Sequence, residues 1–279
     1  MNNLFNIITC SLLKCNNCND TRNKFDNFYN LSLEVKDIKN LNESFDKFCS
    51  EEKIDDYNCE KCNKKVTLIK KTFLADLPNV LIIHLKRMNM NYATCDVEKI
   101  NAYLEFPQKL NLKNYCIENN NQIKNDEEFQ KKECYYEYVL KGVNVHIGQA
   151  NGGHYISLIN RDSDDKNEKW YKFDDSIVQE YDKEKHFIKD CYGGEIDGEL
   201  NNRSAYLLFY ELSTQKPIIV VEKNNNGNNI IELGDNNLNK LKNSEDENEL
   251  CSKTFFDSSK NLYYKFVSYK NIERKISKN

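Results

Sequence analysis

Hydrophobic and polar positions alternate in several short stretches of this chain. Leu31, Leu33 and Val35 are separated by polar residues, the period of a half-buried strand. Leu41, Phe45, Phe48 and Cys49 recur at helical spacing and predict one short helix. Residues 66–74 and 80–85 are rich in β-branched and aliphatic side chains, with Pro78 breaking the run between them. Further strands are predicted at 138–146, 154–160, 170–174 and 205–211. Many strands, short connections and few long helices give an α+β body built on an antiparallel sheet.

The texture changes along the chain. Residues 1–212 carry these ordered patterns, broken by a polar stretch at about 118–133 that reads as an exposed loop. Residues 213–249 contain Asn224, Asn225, Asn226, Gly227, Asn228 and Asn229, then an acidic, Asn-rich run. So little apolar surface does not offset the entropy of ordering, and the segment is expected to be a disordered linker. Residues 250–279 turn basic and aromatic again, with Phe255, Phe256, Tyr263, Tyr264, Phe266 and Tyr269, and form a tail able to dock back on the body.

Composition narrows the function classes. The 279 residues carry 40 basic and 44 acidic side chains, a net charge of −4. Without a basic excess, a nucleic-acid partner is not expected. No apolar run approaches the roughly 18–20 residues that span a bilayer, so no membrane partner is expected either. The hydrophobic fraction is only 39%, but 17 Tyr and 14 Phe restore burial capacity over about two thirds of the chain. Residues 4–13 are mildly apolar yet lack a basic leader and a small-residue cleavage site, so no secretion signal is read there.

Four of the 11 cysteines form two C-x-x-C pairs, Cys15/Cys18 and Cys59/Cys62, 40 residues apart. Each pair turns two thiolates toward one side of a tight knuckle, and two knuckles supply the four sulfurs of a closed tetrahedral Zn²⁺ site. Lys61, Lys64 and Lys65 would offset the charge of four thiolates on one zinc. The competing reading is four free thiols paired by chance. A redox pair fits less well, because neither motif opens a helix after a strand.

The second constellation runs from Gly148 through Gly152, Gly153, His154 and Tyr155, and twenty residues beyond His154 to Asp174 and Asp175. If the strands at 154–160 and 170–174 form a hairpin centred near residue 164, His154 and Asp174 face each other with Cα atoms about 4.5–5.5 Å apart. A carboxylate beside an imidazole fixes its tautomer and stabilises the imidazolium formed in general-base work. Glycines directly before His154 allow the close approach of another backbone, as an extended peptide substrate requires. The plainer alternatives are a structural histidine, which is the reading for His84 and His146, and two aspartates that simply end a strand.

Taken in order, these stretches resemble the ubiquitin-specific protease family of cysteine deubiquitinases. The matching text is Cys15-x-x-Cys18, Phe28-Tyr-Asn-Leu-Ser-Leu-Glu-Val35, Cys59-x-x-Cys62 and Leu77-Pro-Asn-Val-Leu-Ile-Ile-His-Leu-Lys-Arg87. It continues with Tyr138-x-Leu-x-Gly-Val-x-Val-His146, Gly153-His-Tyr155, Trp170-Tyr-Lys-Phe-Asp-Asp175, Cys191-Tyr-Gly-Gly194 and Ala205-Tyr-Leu-Leu-Phe-Tyr210. The resemblance implies a papain-like fold with zinc-bearing fingers and a β palm over 1–212. It implies hydrolysis of the isopeptide bond after the C-terminal Gly of ubiquitin, in the cytoplasm or nucleus. His154 would be the general base, Asp174 its orienting acid and Asp175 a polar helper. Gly152, Gly153 and Tyr155 would flank the ubiquitin tail, and Cys15, Cys18, Cys59 and Cys62 would hold structural zinc. The family's nucleophile sits in an Asn-x-Cys box on a thumb helix upstream of the fingers. Cys10, in Ile-Thr-Cys-Ser, lacks that context, so the nucleophile and thumb are expected to be missing from this chain. The alternative function is a zinc-containing module that binds ubiquitin without cutting it.

Overall fold

The computed structural model describes residues 2–91, 96–119, 135–161, 168–214, 220–224, 227–231, 255–257 and 262–264. The chain divides into two units. One, Phe5–Ser213, carries the sequence patterns above. In the other, Val220–Asn224 pairs with Gly227–Ile231, and Phe255–Asp257 pairs with Leu262–Tyr264, as two antiparallel hairpins. Most of the expected linker, the expected loop at about 118–133 and most of the tail lie outside the described residues.

A four-stranded antiparallel sheet has the order β2–β1–β5–β4, with β1 at Ile7–Cys15, β2 at Thr21–Phe28, β4 at Glu51–Cys59 and β5 at Lys64–Asp76. Its outer strands are polar. Residues of β2 are almost all exposed, so neither face shows the alternation that marks a half-buried strand. The central strands reach from one cluster to another. Ile7 and Leu74 join the main core, while Cys15 and Leu68 belong to a small separate cluster around the cysteines. Eight residue steps of β1 put these ends roughly 26 Å apart.

The larger sheet runs β13–β12–β11–β10–β16–β6–β3, with β9 also paired to β10. Its strands are β3 Leu31–Leu33, β6 Val80–Leu85, β9 Lys109–Asn111, β10 Glu137–Gln149, β11 Gly152–Asn160, β12 Trp170–Asp174, β13 Ile177–Tyr181 and β16 Arg203–Leu212. One pairing departs from the expected antiparallel sheet: β3 runs parallel to β6. Strand β3 also ends at Leu33, although Val35 is fully buried beyond it. The helix expected near 41–49 is α2, Leu41–Phe48 (α1 being the single turn Asn2–Phe5). Asn40 caps α2, accepting from the Glu43 N–H at 3.0 Å, while Glu43 reaches back to accept from the Asn40 amide and the Lys39 N–H. Buried tyrosines tie the core to proline carbonyls, with Tyr138 donating to Pro78 at 2.5 Å and Tyr210 to Pro107 at 2.6 Å.

At the centre lies Arg87, just past β6 and fully buried. Its guanidinium donates to the carbonyls of Ala205 at 2.8 Å, Ile100 at 3.1 Å, Ala102 at 2.8 Å and Tyr192 at 3.5 Å. Burial lowers its pKa to about 10, so it stays charged at neutral pH. The carbonyls replace the hydration that the cation loses. Removing the side chain strands these oxygens. Arg87→Leu is therefore expected to lower the unfolding free energy by about 3–5 kcal/mol in urea titrations, and a loss within experimental scatter would show that water replaces the guanidinium freely.

Candidate active site and metal centre

Strands β10 and β11 form a hairpin closed by two residues, with Gln149 paired to Gly152. The glycine-rich stretch is therefore a continuation of both strands rather than the loop that its composition suggests. Gly148 adopts φ +105, which only glycine takes without strain. Pairing of β10 to β16 stops at Ile147↔Arg203, and pairing of β11 to β12 stops at Ser157↔Phe173. Residues 148–154 thus extend past the ladders on either side. His154 stands on this projecting tip with 45% of its side chain exposed.

His154 Nε2 lies 2.7 Å from Asp174 Oδ1. The two residues are not opposite each other. The β11–β12 register, continued from Ser157↔Phe173, sets His154 opposite residue 176. Asp174 is the diagonal neighbour, about 7–8 Å away along the strands rather than 4.5–5.5 Å, a gap that a ring and a carboxylate close between them. An ionised carboxylate only accepts, so Nε2 donates in this bond, and in the neutral ring Nδ1 is then the nitrogen with the lone pair. The His154 hydrogen bond, with Lys172 at 3.0 Å from the second oxygen, holds the Asp174 carboxyl below the ordinary range.

Asp175 does not continue the strand. It sits at φ 51 in the two-residue turn that joins β12 to β13, where Asp174 pairs with Ile177. Strand alternation would turn its side chain to the opposite face from Asp174. The turn cancels that, and ligand atoms of His154, Asp174 and Asp175 all lie within 4.8 Å of one another.

The two glycines before His154 differ. A Cβ on Gly152 would meet nothing within 4 Å, whereas one on Gly153 would lie 2.3 Å from His146 Nε2 and 2.6 Å from the Ile147 carbonyl oxygen. The space on the Cβ side of Gly153 is taken by the protein's own backbone and a buried histidine. His146 is 4% exposed and its ring centroid is 4.8 Å from that of Tyr155. Alternation puts Tyr155 on the opposite sheet face from His154, where its ring also lies 5.7 Å from that of Tyr206. His84 is a structural histidine, bonded through Nδ1 to Ser32 Oγ at 3.1 Å. Sequence reasoning missed Lys99, whose Nζ donates to the carbonyls of His146, Gly148 and Asn202 at 3.1, 3.1 and 2.6 Å. Burial and then Arg87 lower Lys99 to about 8, a desolvation cost that the three carbonyls offset.

The four cysteines meet at the far end of the small sheet. Cys15 ends β1 and Cys59 ends β4, and all four sulfurs lie within 4.8 Å of one another. Cys15–Cys62 and Cys18–Cys59 are 3.9 and 3.8 Å apart. A tetrahedron with metal–sulfur bonds of about 2.3 Å has edges of about 3.8 Å, so the cluster has the dimensions of a four-thiolate site. The next residue in each knuckle, Asn19 at φ 55 and Asn63 at φ 48, takes the left-handed conformation that asparagine tolerates. The repeated C-x-x-C-N was a signal for this geometry in the sequence. Asp20 accepts from Lys61 at 2.8 Å and from Arg22 at 3.4 Å, and Arg22 also reaches Glu60 at 2.8 Å, so the knuckles are linked at their surface. Cys10 is elsewhere on β1, fully buried, and burial raises its thiol pKa.

The contrast between the glycines gives a direct test. Gly153→Ala is expected to cost about 2–3 kcal/mol of stability, as for an overpacked site, while Gly152→Ala stays within about 0.5 kcal/mol. Equal thermal midpoints for the two variants would contradict the contact with His146.

The family model for ubiquitin carboxyl-terminal hydrolase matches residues 1–210. Human ubiquitin carboxyl-terminal hydrolase 9Y is 32% identical over 231 residues, covering 71% of this chain. Human ubiquitin carboxyl-terminal hydrolase 34 is 32% identical over 222 residues, covering 70%. The chain spans only 9% and 6% of those relatives' lengths. Among solved structures, the yeast SAGA DUBm with the Sgf73 Y57A mutant matches with a TM-score of 0.59 at 29% identity, over 76% of this chain and 42% of that one. The SAGA Ubp8/Sgf11/Sus1/Sgf73 DUB module bound to ubiquitin aldehyde matches with a TM-score of 0.58 at 30% identity, over the same shares of the two chains. Fold, ordered motifs and relatives agree, and the chain belongs to the ubiquitin carboxyl-terminal hydrolase family, with the ubiquitin-specific protease fold.

Proposed function

We propose that this chain supplies the base side of a thiol-dependent hydrolase acting on the bond after the C-terminal glycine of ubiquitin. The observation that carries the reading is the 2.7 Å contact between His154 Nε2 and Asp174 on an exposed hairpin tip. With Nε2 bound to the carboxylate, Nδ1 is the atom that takes a thiol proton and later returns it to the leaving amine. Asp174 orients the ring and stabilises the imidazolium. Asp175, within reach of both, is the supporting carboxylate. Among the described residues no cysteine shares the group formed by His154, Asp174 and Asp175, and Cys10 is buried. In this reading the thiol comes from a segment outside the described fold.

Zinc is the proposed occupant of the four-cysteine cluster. Thiolates alone, at tetrahedral spacing, suit Zn²⁺, and a closed site has a structural role. The metal would join β1–β2 to β4–β5 where few apolar residues do so. Metal analysis of the purified chain, after loosely bound ions are removed, is expected to give about one zinc per chain. Cys59→Ser is expected to abolish it, since one lost ligand opens the tetrahedron. A folded wild-type chain without zinc would refute the assignment.

The hydrolase reading is tested by adding a thumb segment with an Asn-x-Cys box, fused before Met1 or as a separate chain, and following cleavage of a ubiquitin C-terminal amide. His154→Ala is expected to lose about 10²–10⁴-fold in rate, the usual size of a lost general base. Asp174→Asn should lose less and leave ubiquitin affinity unchanged. Full activity in His154→Ala overturns the reading. A larger loss in Asp175→Ala than in Asp174→Ala moves the orienting role to Asp175. The same thiol-free grouping also favours a second reading, a module that holds ubiquitin without cutting it; tight ubiquitin binding with no cleavage by any complemented form would select it.

A further inference from the structure

The tip that carries His154 has little to hold it. Past Ile147↔Arg203 it has no β16 partner, and past Ser157↔Phe173 its ladder with β12 has ended. Apart from the bond of His154 to Asp174, three contacts among the described residues hold its base. The Gly148 N–H donates to the Asn202 carbonyl at 3.0 Å. His146 packs beneath Gly153. Lys99 binds the carbonyls of His146, Gly148 and Asn202.

Lys99 ends strand β8, Asp96–Lys99, which among the described residues pairs with β7, Met88–Asn91, alone. This hairpin belongs to neither large sheet, so Lys99 reaches the tip as an outside support. An ammonium has three N–H donors, and here each meets one backbone carbonyl. Two of those carbonyls lie on the strand leading into the tip. The third, on Asn202, also receives the Gly148 N–H, so a single oxygen joins both ties. Among the described residues Lys99 meets carbonyls and no carboxylate, so surface charge matching does not explain it. Its three partners are the atoms at which the β10–β16 ladder gives out.

We infer that Lys99 is a positioning residue for His154, its ammonium fastening the base of the β10–β11 tip to the start of β16 so that the imidazole keeps its place against Asp174. The inference rests on the catalytic reading of His154 for its purpose, but not for its mechanics. Lys99→Met keeps the apolar stem and removes both the three bonds and the cost of burying the charge. Lys99 is only partly buried, so water reaches the freed carbonyls as it does not around Arg87, and global stability should change little while the tip loosens. That separates a positioning residue from one that merely stabilises the fold.

The test is amide hydrogen exchange on the full chain. In Lys99→Met, the amides of Gly148, Gly152 and His154 are expected to exchange at least tenfold faster, with Val143 and Leu158 of the same ladders unchanged. Lys99→Arg, which keeps the charge and several donors, should recover part of the protection. In the thumb-complemented protein, Lys99→Met should lower kcat for ubiquitin–amide cleavage while KM stays constant, with partial rescue by Lys99→Arg. Unchanged exchange at the tip in Lys99→Met overturns the inference, whatever the protein does to ubiquitin. Uniformly faster exchange across the whole sheet overturns it too, since Lys99 would then be a general stabiliser. If Lys99→Met does not fold, it is again a general stabiliser and the inference fails. Faster tip exchange with full activity in His154→Ala would instead leave Lys99 as the anchor and remove the catalytic reading.

Discussion

A single buried cation organises the centre of this protein. Arg87 reaches the carbonyls of Ile100, Ala102, Tyr192 and Ala205, in three stretches far apart in the chain, of which the first two are irregular and the third is the start of β16. Strands satisfy their own backbone groups through ladders, but the connections that cross the core do not, and each buried carbonyl needs a donor. The planar guanidinium has enough N–H groups, at fixed angles, to serve several such oxygens at once. It thereby fixes where the segment after β8, the end of α3 (Lys183–Cys191) and the start of β16 meet. Gly193 and Gly194, at φ +73 and +78, bend the chain beside that meeting point; a Cβ on Gly193 would lie 3.0 Å from the carbonyl oxygens of Asn101 and Ala102. The site residues stand at the edge of this arrangement, and Lys99 extends the same device, a cation among carbonyls, outward to the tip.

Much of the palm was legible in the sequence because its strands are buried on one face. The strands at 80–85 and 170–174 were read with their observed bounds, and those around 138–146, 154–160 and 205–211 proved only slightly longer. The fingers were less legible. Strands β2 and β4 are exposed on both faces, so their identity rests on backbone pairing to β1 and β5, which leaves no mark in side-chain polarity. Helix α3 was missed for a related reason. It buries only Phe187, Asp190 and Cys191, and the buried aspartate, paired to Arg203 at 2.9 Å and Tyr181 at 3.0 Å, reads as a surface residue in sequence.

In the candidate site, residue identity was readable and geometry only partly so. The meeting of His154 with Asp174 follows from two strands joined by a short connection, but a register offset of two residues makes it a diagonal contact. The position of Asp175 depends on a backbone dihedral at a turn, and no periodicity predicts that. Lys99 was invisible because its partners are main-chain oxygens, which every residue has. The cysteine knuckles were the most legible feature, since the chemistry of four thiolates allows few arrangements.

The packing of His146 under Gly153 ties together two positions that sequence comparison would ordinarily score apart. They lie seven residues apart, on facing strands of one hairpin, and the space available to one side chain is set by the other. Any relative that carries a side chain at the position of Gly153 must shrink or turn away the residue at 146, and must also relax the backbone at 147, whose carbonyl closes the same gap. The glycine before the candidate base is thus under an internal constraint, whatever passes its other side. Substitutions there should appear in concert across the hairpin, as correlated changes along the family's divergence, and not as independent drift toward a new ligand.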